Sequence, residues 1–119
     1  METMFLCYPK CTTCQKAEKW LIEHNVAYAK RHIAEQNPTA DEIRQWWQQS
    51  NLPLKRFFNT SGLMYKDLKL KDRLPEMSDD EQLELLASNG MLVKRPLVVA
   101  DGKVLVGFKE AEWQSILKQ

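Results

Sequence analysis

The sequence predicts an α/β fold, a mixed sheet laid down as β-α-β and then β-β-α, with a helical insertion between the two halves. Three observations carry this. A short apolar run, Met4 to Tyr8, gives way after Pro9 to apolar residues at helical spacing. Near the other end, two β-branched runs flank Asp101-Gly102, a strong hairpin signal. Between them, from about Pro38 to Gly90, the apolar periodicity is mainly helical.

In chain order, Met4-Phe5-Leu6-Cys7-Tyr8 reads as a buried strand that Pro9 stops. From Cys14 to His24, Ala17, Trp20, Leu21 and His24 fall at i, i+3, i+4 and i+7, and Asn25 is a helix stop. Val26 to Ile33 suits a second strand. Thr39 with Glu42 forms a capping box, ahead of Ile43, Trp46, Trp47 and Ser50 on one helical face. Phe57-Phe58 reads as a packed turn, Asn59-Thr60-Ser61-Gly62 as a loop, and Tyr65 to Leu70 as a short helix. Ser78 with Glu81 is a second capping box; Leu83, Leu86 and Ala87 supply that helix's apolar face, and Asn89-Gly90 its stop. Strands follow at Leu97 to Ala100 and Val104 to Val106. A last helix, Glu110 to Leu117, buries Trp113, Ile116 and Leu117. Strand, loop and helix followed by a hairpin and a closing helix is a thioredoxin-like pattern. The core would be about 1–36 and 91–119, and the insertion about 38–90, in a single domain.

Composition narrows the function classes. With 119 residues, 44% of them hydrophobic and 28% charged, the chain has the balance of a packed domain rather than a disordered one. A formal net charge of +1 gives no bulk attraction to nucleic acid or anionic membrane, so no direct nucleic-acid or membrane partner is expected. Glu2 stands where a signal peptide carries a basic residue, and the apolar run after it is too short to span a bilayer, so the expected location is cytoplasmic. Three cysteines fit a secreted disulfide framework poorly and point to reactive or metal-bound thiols.

Cys11-Thr12-Thr13-Cys14 is the motif with the clearest chemistry. At a strand-to-helix junction, two intervening residues bring both sulfurs within bonding reach across the first helical turn. The first thiol then sits against the free amides of the helix N-terminus, which favour thiolate. Lys10 and Lys16 push the same way. Cys11 would be the attacking sulfur and Cys14 the resolving one, passing through a mixed disulfide with a partner. Two blander readings compete: a structural zinc site, and inert cysteines. Zinc wants four ligands, and no pair among Cys7, His24 and His32 has zinc-site spacing; neither a metal nor a cofactor is expected. Cys7, mid-strand, reads as a small buried hydrophobe that stays free while Cys11 and Cys14 join. Arg95-Pro96 directly precedes an apolar strand, and in a thioredoxin-like fold this is where a cis-proline faces the cysteine loop. Arg95 would then place a permanent positive charge near the thiolate or a bound anion.

The chain resembles the arsenate reductase (ArsC)/Spx-related family, nearest to an arsenate-reductase-related branch with a Cys-x-x-Cys motif. The resemblance runs through Tyr8 to Ala17, the helical insertion, Arg95-Pro96-Leu97-Val98-Val99 and Val106-Gly107-Phe108-Lys109-Glu110. It implies a thioredoxin-like fold, a nucleophile at Cys11, a cis peptide before Pro96 and a site role for Arg95. It also implies a thiol reductant (thioredoxin, or glutathione with glutaredoxin) or a protein dithiol as partner, and a monomer.

Departures from the family pattern shape the expected function. Arsenate-reducing members surround the oxyanion with three arginines; Arg95 matches one, whereas the other two positions read Asn59 and Gly107, with Arg56 close to the first. Glutaredoxin-coupled members typically lack a cysteine matching Cys14. Spx-type regulators, which bind the RNA polymerase α subunit, have glycine at the Pro53 position and basic residues near Ser61 and Leu63. The expectation is therefore a thiol-disulfide oxidoreductase or redox-responsive protein. The alternatives are an arsenate reductase and an Spx-like transcriptional switch on RNA polymerase α.

Overall fold

Strand β1 (Thr3–Cys7) is the hub of the sheet in the computed structural model, which describes residues 3–100 and 102–117. It pairs in parallel with β2 (Ala29–His32) on one side and antiparallel with β3 (Leu97–Ala100) on the other. β3 turns back antiparallel into β4 (Lys103–Val106), giving the order β2-β1-β3-β4, the expected thioredoxin-like sheet. A parallel neighbour requires a crossover, and helix α1 (Thr12–Glu23) supplies it. In the hairpin, Ala100 pairs with Lys103, leaving a two-residue turn. Gly102 takes φ +78°, a conformation glycine adopts without strain; Asp101, the other half of the expected turn, lies outside the described residues.

Local hydrogen bonding explains where elements depart from the expected bounds. Helix α1 begins at Thr12 with Cys11 as its N-cap, ahead of the expected Cys14. Its end is a Schellman closure: Asn25 takes φ +56°, its N–H reaches the Ile22 carbonyl at 3.1 Å, and Val26 N–H reaches the Leu21 carbonyl at 3.0 Å. Val26 is thereby committed to the helix end, so β2 starts at Ala29 rather than Val26. It stops at His32, whose Nδ1 accepts the N–H groups of Ala34 and Glu35 and turns the chain away. β1 likewise ends at Cys7, one residue short of the expected Tyr8.

The insertion contains α2 (Ala40–Ser50), α3 (Leu63–Asp67), α4 (Leu70–Arg73) and α5 (Asp79–Ser88), linked by 3-10 turns. Both capping boxes form in full, at Thr39/Glu42 and Ser78/Glu81. The single helix expected over Tyr65 to Leu70 is split, because Lys69 takes φ +54°. Asn89-Gly90 ends α5 by a different route from a left-handed cap. Asn89 is extended and its Oδ1 accepts the Met91 N–H at 2.8 Å, while Gly90 passes so close to β2's end that a Cβ would lie 1.9 Å from the Ile33 carbonyl oxygen. The last helix, α6 (Glu110–Leu117), buries Trp113 fully but leaves Ile116 and Leu117 half-buried.

Strand parity sorts the core into two layers. Phe5 and Cys7 of β1, Val98 and Ala100 of β3, and Leu105 of β4 pack with Cys14, Ala17, Trp20 and Leu21 of α1 and with Trp113 of α6. On the opposite face Leu6, Leu97, Val104 and Val106 meet the insertion through Ile43, Trp46, Phe57, Phe58, Leu83 and Leu86. A sheet covered on both faces explains why β1 and β3 read as continuous apolar runs. The insertion is also clamped to β2 by a bidentate ion pair, Arg31 Nη1 and Nη2 to Glu42 at 2.8 and 2.9 Å. Among the described residues, no helix is long and apolar enough to cross a membrane.

Two consequences for stability follow from this packing. Gly90→Ala drives a methyl group into backbone, so the urea midpoint should fall by the equivalent of about 1–3 kcal/mol with an unchanged m-value. The Arg31 guanidinium, against the opposing effect of burial, holds the Glu42 carboxyl down to about 2. A carboxyl depressed by folding stabilises the fold above its unfolded pKa, and that contribution fades as pH falls toward its folded value. Glu42→Gln should therefore flatten the loss of stability between pH ~5 and ~2, measured as the urea midpoint against pH; parallel profiles for the two proteins would contradict it.

Candidate functional site

The cysteine loop is built where β1 runs out. Tyr8, Pro9 and Lys10 carry the chain from the end of β1 to the start of α1, and Cys11 N–H closes the turn onto the Tyr8 carbonyl at 2.9 Å. Cys11 is extended (φ −82°, ψ 121°) and makes no side-chain cap hydrogen bond, so the helix N-terminus leaves first-turn amides unpaired beside the motif. The amides of Thr13 and Cys14 act on the Cys11 thiol and favour its thiolate. Cys11 is half-buried, whereas Cys14 beneath it is 2% exposed and accepts the Tyr8 N–H at 3.4 Å.

These surroundings drive the two thiols apart. Partial burial raises Cys11, but the Cys14 amide, the Cys14 thiol, the Arg95 charge and the Thr13 amide together outweigh it and hold the thiol below its ordinary value. Cys14 moves far the other way, pushed up by its contact with the Cys7 thiol and by burial, with only the Tyr8 amide opposing strongly. One sulfur is poised as a nucleophile and leaving group, the other as a protonated reserve.

Arg95 stands over this loop. Its guanidinium lies 5.4 Å from the centre of the Tyr8 ring, and Nη1 donates to the Met91 carbonyl at 3.3 Å. Its Nε is buried and has no hydrogen-bond partner among the described residues. The Arg95–Pro96 peptide is cis, as the resemblance implied.

The structure thus brings Cys11, Cys14, Arg95 and Pro96 into one constellation and sends the other expected residues elsewhere. Lys10 and Lys16 are exposed, and the cation acting on Cys11 is Arg95. Asn59 is folded into its own turn, its carbonyl accepting the Gly62 N–H at 3.1 Å and its Oδ1 the Ser61 hydroxyl at 3.3 Å. Arg56 lines a cleft of about 430 Å³ with Pro53, Lys55, Phe58, Thr60 and Lys94, a lining that includes neither Cys11 nor Arg95. Gly107 takes φ +81° and contributes only backbone. Sequence reasoning missed Tyr8, whose two backbone bonds and ring join both cysteines to Arg95; its place immediately before Pro9 was the available signal. It also missed the contact of Cys7 with Cys14; the shared parity of Cys7 and Phe5 gave the face of the sheet but not the helix that covers it.

With the geometry in place, comparison with known proteins agrees with it. The ArsC family model matches residues 6–116. The chain is 54% identical over 114 residues to the uncharacterized protein YusI of Bacillus subtilis, covering 96% of this chain and 97% of that one. Among solved structures it is similar to a protein from Bacteroides fragilis described as ArsC family related, with 58% identity, 97% of each chain covered and a TM-score of 0.94. It is also similar to a possible arsenate reductase from Streptococcus mutans, with 46% identity, 90% of this chain and 91% of that one covered, and a TM-score of 0.84.

The thiol asymmetry is directly measurable. In a Cys7→Ala background, thiolate absorbance against pH should show Cys11 titrating below the free-cysteine value of ~8.5, with Cys14 contributing nothing in that range. Arg95→Ala removes the charge that helps lower it, so the midpoint should rise. An unmoved midpoint would show that Arg95 does not act on the thiolate.

Proposed function

Because the chain belongs to the ArsC family, we propose that it is a thiol-disulfide oxidoreductase in which Cys11 attacks and Cys14 resolves. The observation that carries this reading is the opposed pair: a half-buried thiol lowered by helix amides and Arg95, directly above a buried thiol held protonated. The Cys11 thiolate attacks a sulfur of a partner disulfide, whose other sulfur leaves with the electron pair. Cys14 loses its proton as it attacks the Cys11 sulfur of the mixed disulfide and releases the partner as a thiol. The oxidised Cys11–Cys14 pair is then reset by a thiol reductant, thioredoxin or glutathione with glutaredoxin.

A second reading has one observation in its favour. The ArsC family includes arsenate reductases, and the unpartnered Nε of Arg95 is a donor suited to an oxyanion. Against it stands the charge count: Asn59 and Gly107 supply no cation, and each missing charge-assisted bond costs about 1.5–3 kcal/mol of anion binding.

Two assays separate these readings. A Cys14→Ser variant should accumulate a reducible covalent complex with its partner in cells, and Cys11→Ser should not. Arsenite formation with either reductant should be weak and non-saturating; saturation at micromolar arsenate would establish the second reading instead.

A further inference from the structure

The buried thiol of Cys7 has no part in a two-cysteine cycle, yet it lies where a third member would. β1 directs Phe5 and Cys7 to the face covered by α1, and Cys7 and Cys14, both 2% exposed, pack in the same core layer with Cys11 at its margin. The Cys14 thiol interacts with both other thiols, Cys7 and Cys11. Cys14 is therefore the middle sulfur of three. All three are free thiols.

We propose that Cys7 is the terminal acceptor of an internal disulfide relay, taking over Cys14 from Cys11 so that the oxidised equivalent is stored as a buried Cys7–Cys14 bridge. This rests on the oxidoreductase reading above. The step is an exchange that needs no further oxidant. The Cys7 sulfur attacks the Cys14 sulfur of the Cys11–Cys14 disulfide, a Cys7–Cys14 bond forms, and the Cys14–Cys11 bond breaks with its electron pair on Cys11. The proton of Cys7 passes to the departing Cys11 sulfur and from there to water. The direction of exchange favours the thiol that leaves best, and Cys11 is the sulfur at the N-terminus of α1, within the influence of the Arg95 charge. The outcome returns a nucleophile at the surface while the bridge lies under the loop, out of reach of bulky reductants.

Trypsin reads this out, because cleavage after Lys10 and Lys16 separates Cys7 from the peptide Cys11–Lys16 that carries both other cysteines. Reduced wild-type protein is oxidised with one equivalent of diamide, quenched with acid at intervals, alkylated with N-ethylmaleimide in denaturant, digested and mapped by mass. The expected course is an early disulfide confined within the Cys11–Lys16 peptide. A cross-link between residues 1–10 and 11–16 then replaces it as alkylated Cys11 returns. Cys7→Ala should stop at the first species. If the internal Cys11–Cys14 disulfide forms in wild type and persists with Cys7 fully alkylated, the relay is overturned and the two-cysteine reading stands. If neither disulfide forms, the oxidoreductase reading itself fails.

Discussion

One residue, Tyr8, holds the reactive loop together through the two backbone groups on either side of its Cα. Its carbonyl receives the Cys11 N–H and its N–H is given to the Cys14 sulfur, so both ends of the motif are tied to one residue just beyond β1. Because β1 is paired on both edges, that residue is anchored in the most constrained part of the sheet. The side chain extends the same control: the ring lies edge-on to His32 of β2 at 5.7 Å and offers its face to Arg95. Sheet, cysteine loop and guanidinium therefore share a single reference point, and the position of each sulfur is set by the strand rather than by the loop.

The electrostatics are built with little charge. One cation and two helix amides suffice to lower Cys11, because the amides are preorganised and lose no conformational freedom on binding the thiolate. The positions where an arsenate-binding relative has further arginines are committed to structure here. Gly107 holds φ +81°, gives its N–H to the Pro96 carbonyl at 2.9 Å and accepts the Trp113 indole at 3.2 Å. Asn59 is locked with Gly62, where an added Cβ would meet its Nδ2 at 2.6 Å. A site with a single guanidinium suits a neutral sulfur electrophile, which needs a good nucleophile, better than a dianion, which needs countercharge.

The sequence disclosed the elements whose signals are local. Thr39/Glu42 and Ser78/Glu81 announce helix starts because capping chemistry spans only four residues, and the motif from Cys11 to Cys14 announces its own turn. What stayed hidden depends on neighbours distant in the chain. Asn89-Gly90 reads as a left-handed stop, yet glycine is required there by the Ile33 carbonyl, 57 positions earlier. Val26 reads as strand by type, but its amide closes the preceding helix. Lys10 and Lys16 look like activating charges by proximity in sequence, whereas the charge that reaches the thiolate comes from Arg95, across the sheet. Cys7 stood between the two cases: strand parity was legible, but which helix covered its face was not.

The insertion shapes the site although it packs on the sheet's other face. Its last turn, Gly90–Leu92, is pressed against the end of β2 at Ile33, and Asn89 fixes the Met91 amide from within the same turn. That leaves the Met91 carbonyl in place to receive Nη1 of Arg95, four residues on. Nη1 is thus held by the insertion and the guanidinium is seated on Tyr8, while Nε is buried without a partner among the described residues. Among the described residues, Arg95 is held by one neutral carbonyl and pairs with no carboxylate, so its charge stays uncompensated for the thiolate. A carboxylate at that position would have bound the guanidinium more tightly and spent the field that lowers Cys11.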